Sequence, residues 1–137
     1  VVFSHVPLWP LARGREHEYI GDPGLQALLA DESVELYLSG HHHAFFPADH
    51  HGIAFVGQAC LGAGPRPLIG NASRSARGFT MLDFDTDTIL VSAYRGPQFD
   101  TVIDWKTLPA AVSSPAAELL RADLAEASPI RPGVAVR

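Results

Sequence analysis

The sequence is poor in cysteine, in basic residues and in long apolar runs, and each shortage excludes a class of protein. A single cysteine, Cys60, rules out an intramolecular disulfide, and its apolar neighbours predict a buried thiol. Ten Lys and Arg against fifteen Asp and Glu leave a net charge of −5, which argues against nucleic acid or an anionic membrane as a partner. No apolar run is long enough to cross a membrane, and the first residues do not resemble a signal peptide.

The remaining composition is that of an ordinary globular domain. With 137 residues, of which 47% are hydrophobic and 18% charged, the chain can bury a core of its own. The first residues, Val1-Val2-Phe3, already lie in an apolar run and include no Met. We therefore expect the chain to be part of a longer polypeptide.

The first third of the chain has the pattern of a strand–helix–strand unit. Residues 1–4 and 34–38 are short apolar runs that predict buried strands. Between them, Asp22 followed by Pro23 predicts the start of a helix, which should end near Asp31-Glu32. Because a helix separates the two strands, we expect them to be parallel neighbours in one sheet.

The chain after residue 44 is dominated by hairpin patterns. Residues 44–46 and 53–57 flank a polar stretch and predict one hairpin. Residues 79–84 and 88–94 predict a second hairpin, and a last strand is expected over 101–105.

The last thirty residues look peripheral. Pro115 predicts the start of a short helix with one apolar face, and residues 129–137 look like a frayed tail. The apolar face of that helix comprises Ala116, Leu119, Leu120 and Leu124.

Two histidine motifs follow the first two predicted strands. His5 comes directly after residues 1–4, and Gly40-His41-His42-His43 follows the apolar run that ends at Leu38. Parallel neighbours end at the same edge of a sheet, where open α/β folds bind ligands. Imidazole is the commonest protein ligand of catalytic divalent metals, so we predict that His5, His41 and His43 are metal ligands.

The carboxylates that such a site also needs are missing from the pattern. The nearby acidic residues stand at no recognisable ligand spacing; they are Asp22, Asp31, Glu32, Glu35 and Asp49. The chain therefore offers three histidine ligands and no bridging carboxylate, which is half of a dinuclear site.

These motifs resemble the C-terminal half of a calcineurin-like metallophosphoesterase. That family carries, in order, D-x-H, G-D, G-N-H-[DE], a lone His after a strand, and G-H-x-H; the last two match His5 and Gly40-His41-x-His43. The first three motifs are absent, and Gly21-Asp22 stands in the wrong place for G-D. The likeness ends with the hairpin sequence GFTMLDFDTDTILVSAYR and the strand after it. It assigns residues 1–108 to such a domain and 109–137 to a peripheral helix and tail.

The resemblance implies a fold, a metal site and a reaction. The fold is α/β, part of a two-sheet αββα sandwich, with one βαβ unit followed by antiparallel hairpins. His5 and His41 would ligate one metal and His43 the other, and an Asp and an Asn of the missing N-terminal half would complete the site. Two divalent ions, drawn from Mn, Fe, Zn, Ni and Co, lie about 3.5–4 Å apart in such sites and clamp the oxygens of an in-line displacement at phosphorus. The implied activity is hydrolysis of a phosphomonoester or phosphodiester, absent from the isolated fragment.

Two other functions remain open. The missing carboxylates favour a catalytically silent module that binds metal or a partner protein. A cupin-like barrel also uses His-x-His, but residues 44–48 lack the Glu which that motif expects.

Several further polar residues have a plainer interpretation. We expect His42 to point away from the metals, His17 to be solvated, and the pair His50-His51 to form a polar hairpin tip. One arginine of the glycine-rich loop could hold a substrate phosphate, since guanidinium matches phosphate geometry. The candidates are Arg66, Arg74 and Arg77.

Overall fold

The structure is a computed structural model that describes residues 1–134. Those residues form a mixed α/β fold with two open sheets and one α-helix, so the α/β class predicted from the sequence is confirmed. The helix is α1 (Pro23–Asp31). The strands are β1 (Val2–Ser4), β2 (Leu36–Ser39), β3 (Phe46–His50), β4 (Ile53–Gly57), β5 (Gly78–Phe84), β6 (Ile89–Arg95), β7 (Thr101–Val102), β8 (Ala111–Ser113), β9 (Glu118–Arg121) and β10 (Ile130–Pro132).

The first sheet has six strands in the order β1-β2-β4-β3-β9-β8. β1 pairs in parallel with β2 in a register that sets Ser4 opposite Ser39. The predicted βαβ unit is therefore confirmed, and it places both histidine motifs at one edge of this sheet. β4 pairs in parallel with the other side of β2, and it forms an antiparallel hairpin with β3, which precedes it in the chain.

The second sheet is built on the hairpin of β5 and β6. These strands pair antiparallel over seven residues each, as the alternating pattern predicts, and β10 joins the far side of β6 in parallel. β7 pairs with the end of β6 and spans only Thr101–Val102. The expected strand over 101–105 is therefore too long, because the chain turns into a 3₁₀ turn at Trp105–Thr107 capped by Asp104.

The core lies on both faces of the first sheet, because successive apolar side chains along a strand point to opposite faces. Leu36 and Leu38 of β2 face the second sheet, where they pack with Val91 of β6 in one buried cluster. Tyr37, between them in sequence, faces the other way and packs with α1 and the loop that follows β1. A strand that is buried on both faces has a nearly continuous apolar sequence, and residues 34–38 show this pattern.

The helix begins as its sequence predicts. The Asp22 carboxylate accepts hydrogen bonds from the Gly24 and Leu25 amides at 2.8 and 3.1 Å, and Pro23 occupies the first turn. Leu29 is buried beside Gln26, whereas Leu28 is 54% exposed.

The predicted helix at Pro115 is not formed. Ser114 caps a tight turn there, and β8 and β9 form a hairpin whose second strand pairs with β3. Leu119 is buried in the core below the first sheet, and this burial outweighs the helical propensity of the Ala-Ala-Glu-Leu-Leu run. The tail is also ordered in part, because β10 pairs with β6. Residues 135–137 lie outside the described residues.

Three smaller expectations need correction. β3 runs from Phe46 to His50, so much of the expected polar tip is strand, and only His51-Gly52 form the turn. Cys60 is half-buried rather than buried, and its Sγ donates to the Ala63 carbonyl at 2.9 Å. Both sheets are open across residues 1–134, which does not agree with the cupin-like barrel.

No helix within residues 1–134 has the length and hydropathy needed to cross a membrane.

Candidate metal centre

Two of the three predicted ligands meet at the end of the parallel pair. Because β1 and β2 run side by side and end at Ser4 and Ser39, the residues that follow them emerge together. The Gly40 amide donates to the His5 carbonyl at 3.1 Å, which continues the ladder by one step past the strands. The sheet therefore delivers His5 and His41 to the same place.

The two imidazoles face each other through single nitrogen atoms. Nε2 of His5 lies 3.1 Å from Nδ1 of His41, and the ring centroids are 4.9 Å apart in an edge-on arrangement. Nitrogens bound to one ion at about 2.1 Å each are separated by roughly 3.0–3.4 Å at octahedral to tetrahedral angles. The observed separation thus fits two donors to one divalent ion.

The other ring nitrogen of His41 is held by a carboxylate. Nε2 of His41 lies 2.5 Å from Oε2 of Glu18. A carboxylate can only accept, so Nε2 carries the proton and the lone pair of the neutral ring is on Nδ1, directed at His5. A carboxylate that fixes the tautomer in this way is the usual outer partner of a metal-bound histidine.

Glu18 is itself held in place by an arginine. The Arg15 guanidinium forms an ion pair with the same carboxylate and lies 3.2 Å from Nε2 of His41. The hydrogen bond from Arg15, and after it the one from His41, keeps the pKa of Glu18 below its ordinary value. Glu18 therefore stays ionised beside His41.

Residues 40–43 form a turn, called the histidine turn below, whose backbone is strained at His41 and at His43. The His42 amide donates to the Gly40 carbonyl at 2.6 Å, closing a three-residue γ-turn in which His41 has φ 61°. This positive-φ form of the γ-turn is rare and strained, and His43, at φ 52°, also lies in the left-handed region. Such strain concentrates at functional sites. The turn thus places its left-handed backbone on His41 and His43 and not on Gly40.

His43 is not brought into contact with the other two histidines. Its Nδ1 lies 3.2 Å from the carbonyl of Gly64, and its own carbonyl accepts from the Arg66 amide at 3.2 Å. Both contacts belong to the glycine-rich loop, which runs past the histidine turn. The structure therefore separates His43 from the pair formed by His5 and His41.

His42 is directed into the protein and is completely buried. Its Nδ1 accepts from the amides of Leu11 and Ala12 at 3.3 and 3.1 Å, and its Nε2 donates to the Glu18 carbonyl at 2.9 Å. Burial is the main cause that lowers the pKa of His42 below its ordinary value. His42 thus points away from its neighbours, as predicted, and fixes the loop that carries Glu18.

The pair His50-His51 lies elsewhere, beside α1. Nδ1 of His50 is 3.0 Å from Oε1 of Gln26, and the same oxygen accepts from Nε1 of Trp9 at 2.5 Å. These side chains line a cavity of about 470 Å³. His50 is therefore a half-buried part of a hydrogen-bond network, and only His51 occupies an exposed tip.

The described residues do not complete a metal site by themselves. In the stretch from Val1 to Val134, no group of three or more His, Cys, Asp or Glu side chains is arranged to hold a metal. Neither a scan of protein-family models nor a search of curated proteins gave a match to this chain. The ligand roles of His5, His41 and His43 therefore remain predictions.

Sequence reasoning missed two residues of this cluster, Glu18 and Arg15. Both lie in the charged loop between β1 and α1, which carries no recognisable motif. Their contacts depend on how that loop folds back across the end of β2. The sequence held one signal for this pair: an arginine and a glutamate stand three residues apart in the loop that follows His5.

Proposed function

We propose that this chain supplies the histidine ligands of a dinuclear metal site that hydrolyses a phosphate ester. The observation that carries the proposal is the 3.1 Å approach of His5 Nε2 to His41 Nδ1, with Glu18 on the opposite side of the His41 ring. The motif order and the βαβ unit support a finer statement. The chain is the C-terminal part of a calcineurin-like metallophosphoesterase domain, within a two-sheet αββα sandwich.

The residues of this chain have distinct tasks in that site. His5 and His41 hold one ion through the two facing nitrogens, while His43 is assigned to the second ion by the order of the motif. Glu18 holds the proton on Nε2 of His41 and so keeps Nδ1 free as a donor. Divalent ions bound by these residues would supply Lewis acidity for activating water and neutralising charge on the phosphoryl oxygens.

An exposed strand edge supports the existence of a partner segment. Among the described residues β1 pairs only with β2, so its outer backbone groups are unpaired. Phe3 of β1 is opposite Leu38, which faces the second sheet, yet Phe3 is 75% exposed. An unpaired edge with an exposed apolar side chain is a template for a further strand. We assign this edge to the N-terminal half, which would bring the missing carboxylate and amide beside His5.

Metal content in the full-length protein tests the proposal. Elemental analysis is expected to show bound divalent metal in the wild type, and His5→Ala and His41→Ala should each lose at least one ion per chain. The matched control is His17→Ala, because His17 is exposed and outside the cluster. Hydrolysis of p-nitrophenyl phosphate should disappear after exhaustive metal removal and return on addition of Mn²⁺ or Zn²⁺. Hydrolysis that survives removal would overturn the proposal.

The positioning role of Glu18 has its own test. Glu18→Ala should weaken metal affinity by about 10-fold to 100-fold, the usual effect of losing an outer-shell partner. Glu16→Ala is the control, since Glu16 lies in the same loop but its carboxylate accepts from the Gly14 amide, at 2.8 Å, rather than from a histidine. Competition with a chromophoric chelator measures both affinities. Equal affinities for the two variants would show that Glu18 does not orient the ligand.

The silent metal-binding module remains the second candidate. It is favoured by the convergence of only two imidazoles among residues 1–134. A folded isolated chain that binds a single zinc, and that stays inactive when joined to its N-terminal partner, would select this alternative.

A further inference from the structure

Arg66 lies next to the histidine turn and has no partner for its charge. Its backbone amide donates to the His43 carbonyl at 3.2 Å, so the loop passes directly beside the turn. Its Nε atom is buried and makes no hydrogen bond, and within residues 1–134 its guanidinium forms no ion pair. A buried donor without an acceptor is costly, and a charged one more so.

The Arg66 guanidinium is directed at the turn that carries Arg15. A Cβ placed on Gly14 would come within 3.0 Å of Nη1 of Arg66, and Gly14 precedes Arg15 in the chain. The pairing of Arg13 with Pro67 holds the two segments together, through an amide-to-carbonyl bond of 2.9 Å. Arg15 also has a buried Nε without a partner. Arg66 therefore places its guanidinium against the glycine that precedes Arg15, and the Arg15 guanidinium in turn lies beside His41.

The nearby carboxylates do not satisfy Arg66. Glu18 is taken by Arg15 and His41, and Glu16 is turned to the Gly14 amide. The group that would satisfy these donors is an anion from solution with several acceptor oxygens, for which a phosphoryl group is the natural geometric match.

We propose that Arg66, assisted by Arg15, forms a phosphoryl-binding subsite and that the substrate is a phosphomonoester. This inference rests on the proposed function and deepens it. A monoester has three non-bridging oxygens and nearly two negative charges at neutral pH, whereas a diester has two such oxygens and one charge. The Arg66 fork would therefore find one more acceptor oxygen and a stronger attraction in a monoester than in a diester.

The other two arginines considered in the glycine-rich loop differ from Arg66. Arg74 and Arg77 are exposed, and no hydrogen bond ties either of them to the histidine turn. Arg77 contributes only its carbonyl, which accepts from the Gly96 amide at 2.8 Å. Arg77→Gln is therefore a matched control that removes an exposed charge from the same loop.

The test combines phosphate binding with two substrates in the full-length protein. For Arg66→Gln, titration calorimetry with inorganic phosphate should show binding about 10-fold to 100-fold weaker, the range for a lost hydrogen bond to a charged group. The value of kcat/KM should fall by a similar factor for p-nitrophenyl phosphate and much less for bis(p-nitrophenyl) phosphate. Metal content should not change. Arg66→Lys, which keeps the charge and the fold but lacks the fork, should recover part of the phosphate affinity.

The possible results separate this inference from the proposed function. If Arg66→Gln and Arg66→Lys bind phosphate as well as Arg77→Gln does, the subsite is wrong. If both esters lose the same factor, the assignment of a monoester is wrong. If phosphate binding depends on Arg66 but no ester is hydrolysed, the anion subsite holds while the proposed reaction fails.

Discussion

Replacing His42 should destabilise the protein strongly, although the residue stands between two candidate ligands. His42→Ala removes the acceptor of the Leu11 and Ala12 amides, both of which are buried. A buried N–H left without a partner costs about 1–3 kcal/mol, and the lost hydrogen bond to the Glu18 carbonyl adds about 1 kcal/mol. Two such amides and the one lost bond together give an expected loss of roughly 3–7 kcal/mol, out of the 5–15 kcal/mol typical of a folded domain.

Two further variants make the measurement specific. His42→Asn places its side-chain oxygen near the position of Nδ1, so it should keep the acceptor and lose only the contact with Glu18, at a cost of about 1–2 kcal/mol. His17→Ala, an exposed histidine of the same loop, should change stability by less than about 0.5 kcal/mol.

Urea unfolding of the full-length protein, followed by tryptophan fluorescence, measures these differences. The midpoints should fall in the order wild type, His42→Asn, His42→Ala, with unchanged slopes. A loss below about 1 kcal/mol for His42→Ala would refute the reasoning, because the buried amides would then have found other acceptors. Equal midpoints for the Asn and Ala variants would show that the loss of the acceptor Nδ1 does not cause the destabilisation.

Three further predictions concern other parts of the molecule. Burial, followed by the charge of His51, lowers the pKa of His50 in the folded protein, so the unfolded chain binds more protons and stability should fall as pH drops below about 6.5. The urea midpoints measured at pH 7.5 and at pH 5.5 should therefore differ less in His50→Gln than in the wild type. The same difference in both proteins would contradict this. His41→Gly should be about 1 kcal/mol more stable than His41→Ala, because φ 61° suits glycine; thermal unfolding decides, and equal stability would show that the γ-turn is unstrained. The isolated 137-residue chain, with Phe3 75% exposed, should associate or melt broadly; a sharp cooperative transition of a monomer by calorimetry would oppose this.

Local signals in the sequence predicted the elements that depend on neighbours in the chain. The cap at Asp22, the two-residue alternation through β5 and β6, and the apolar run of β2 each act over a few residues, so a sequence pattern is enough to find them. The convergence of His5 and His41 followed from one topological rule, that strands separated by a helix are parallel neighbours.

The failures share a dependence on distant partners. Residues 115–120 have good helix formers, but their conformation is decided by pairing of β9 with β3, about seventy residues earlier in the chain. Glu18 and Arg15 were missed because their partner His41 is reached only when the loop folds over the strand ends.

The three hydrogen bonds of His42 set a limit on how this protein can diverge. They attach residues 11 and 12 at one end, and residue 18 at the other, to a single rigid ring. Side chains between these anchors, such as Arg13 and His17, are exposed and free to change. The number of residues between the anchors is not free, since one insertion would release an anchor or withdraw Glu18 from His41. Among diverged homologues we therefore expect this loop to vary in composition while its length stays constant, so that alignments show substitutions here but no gaps.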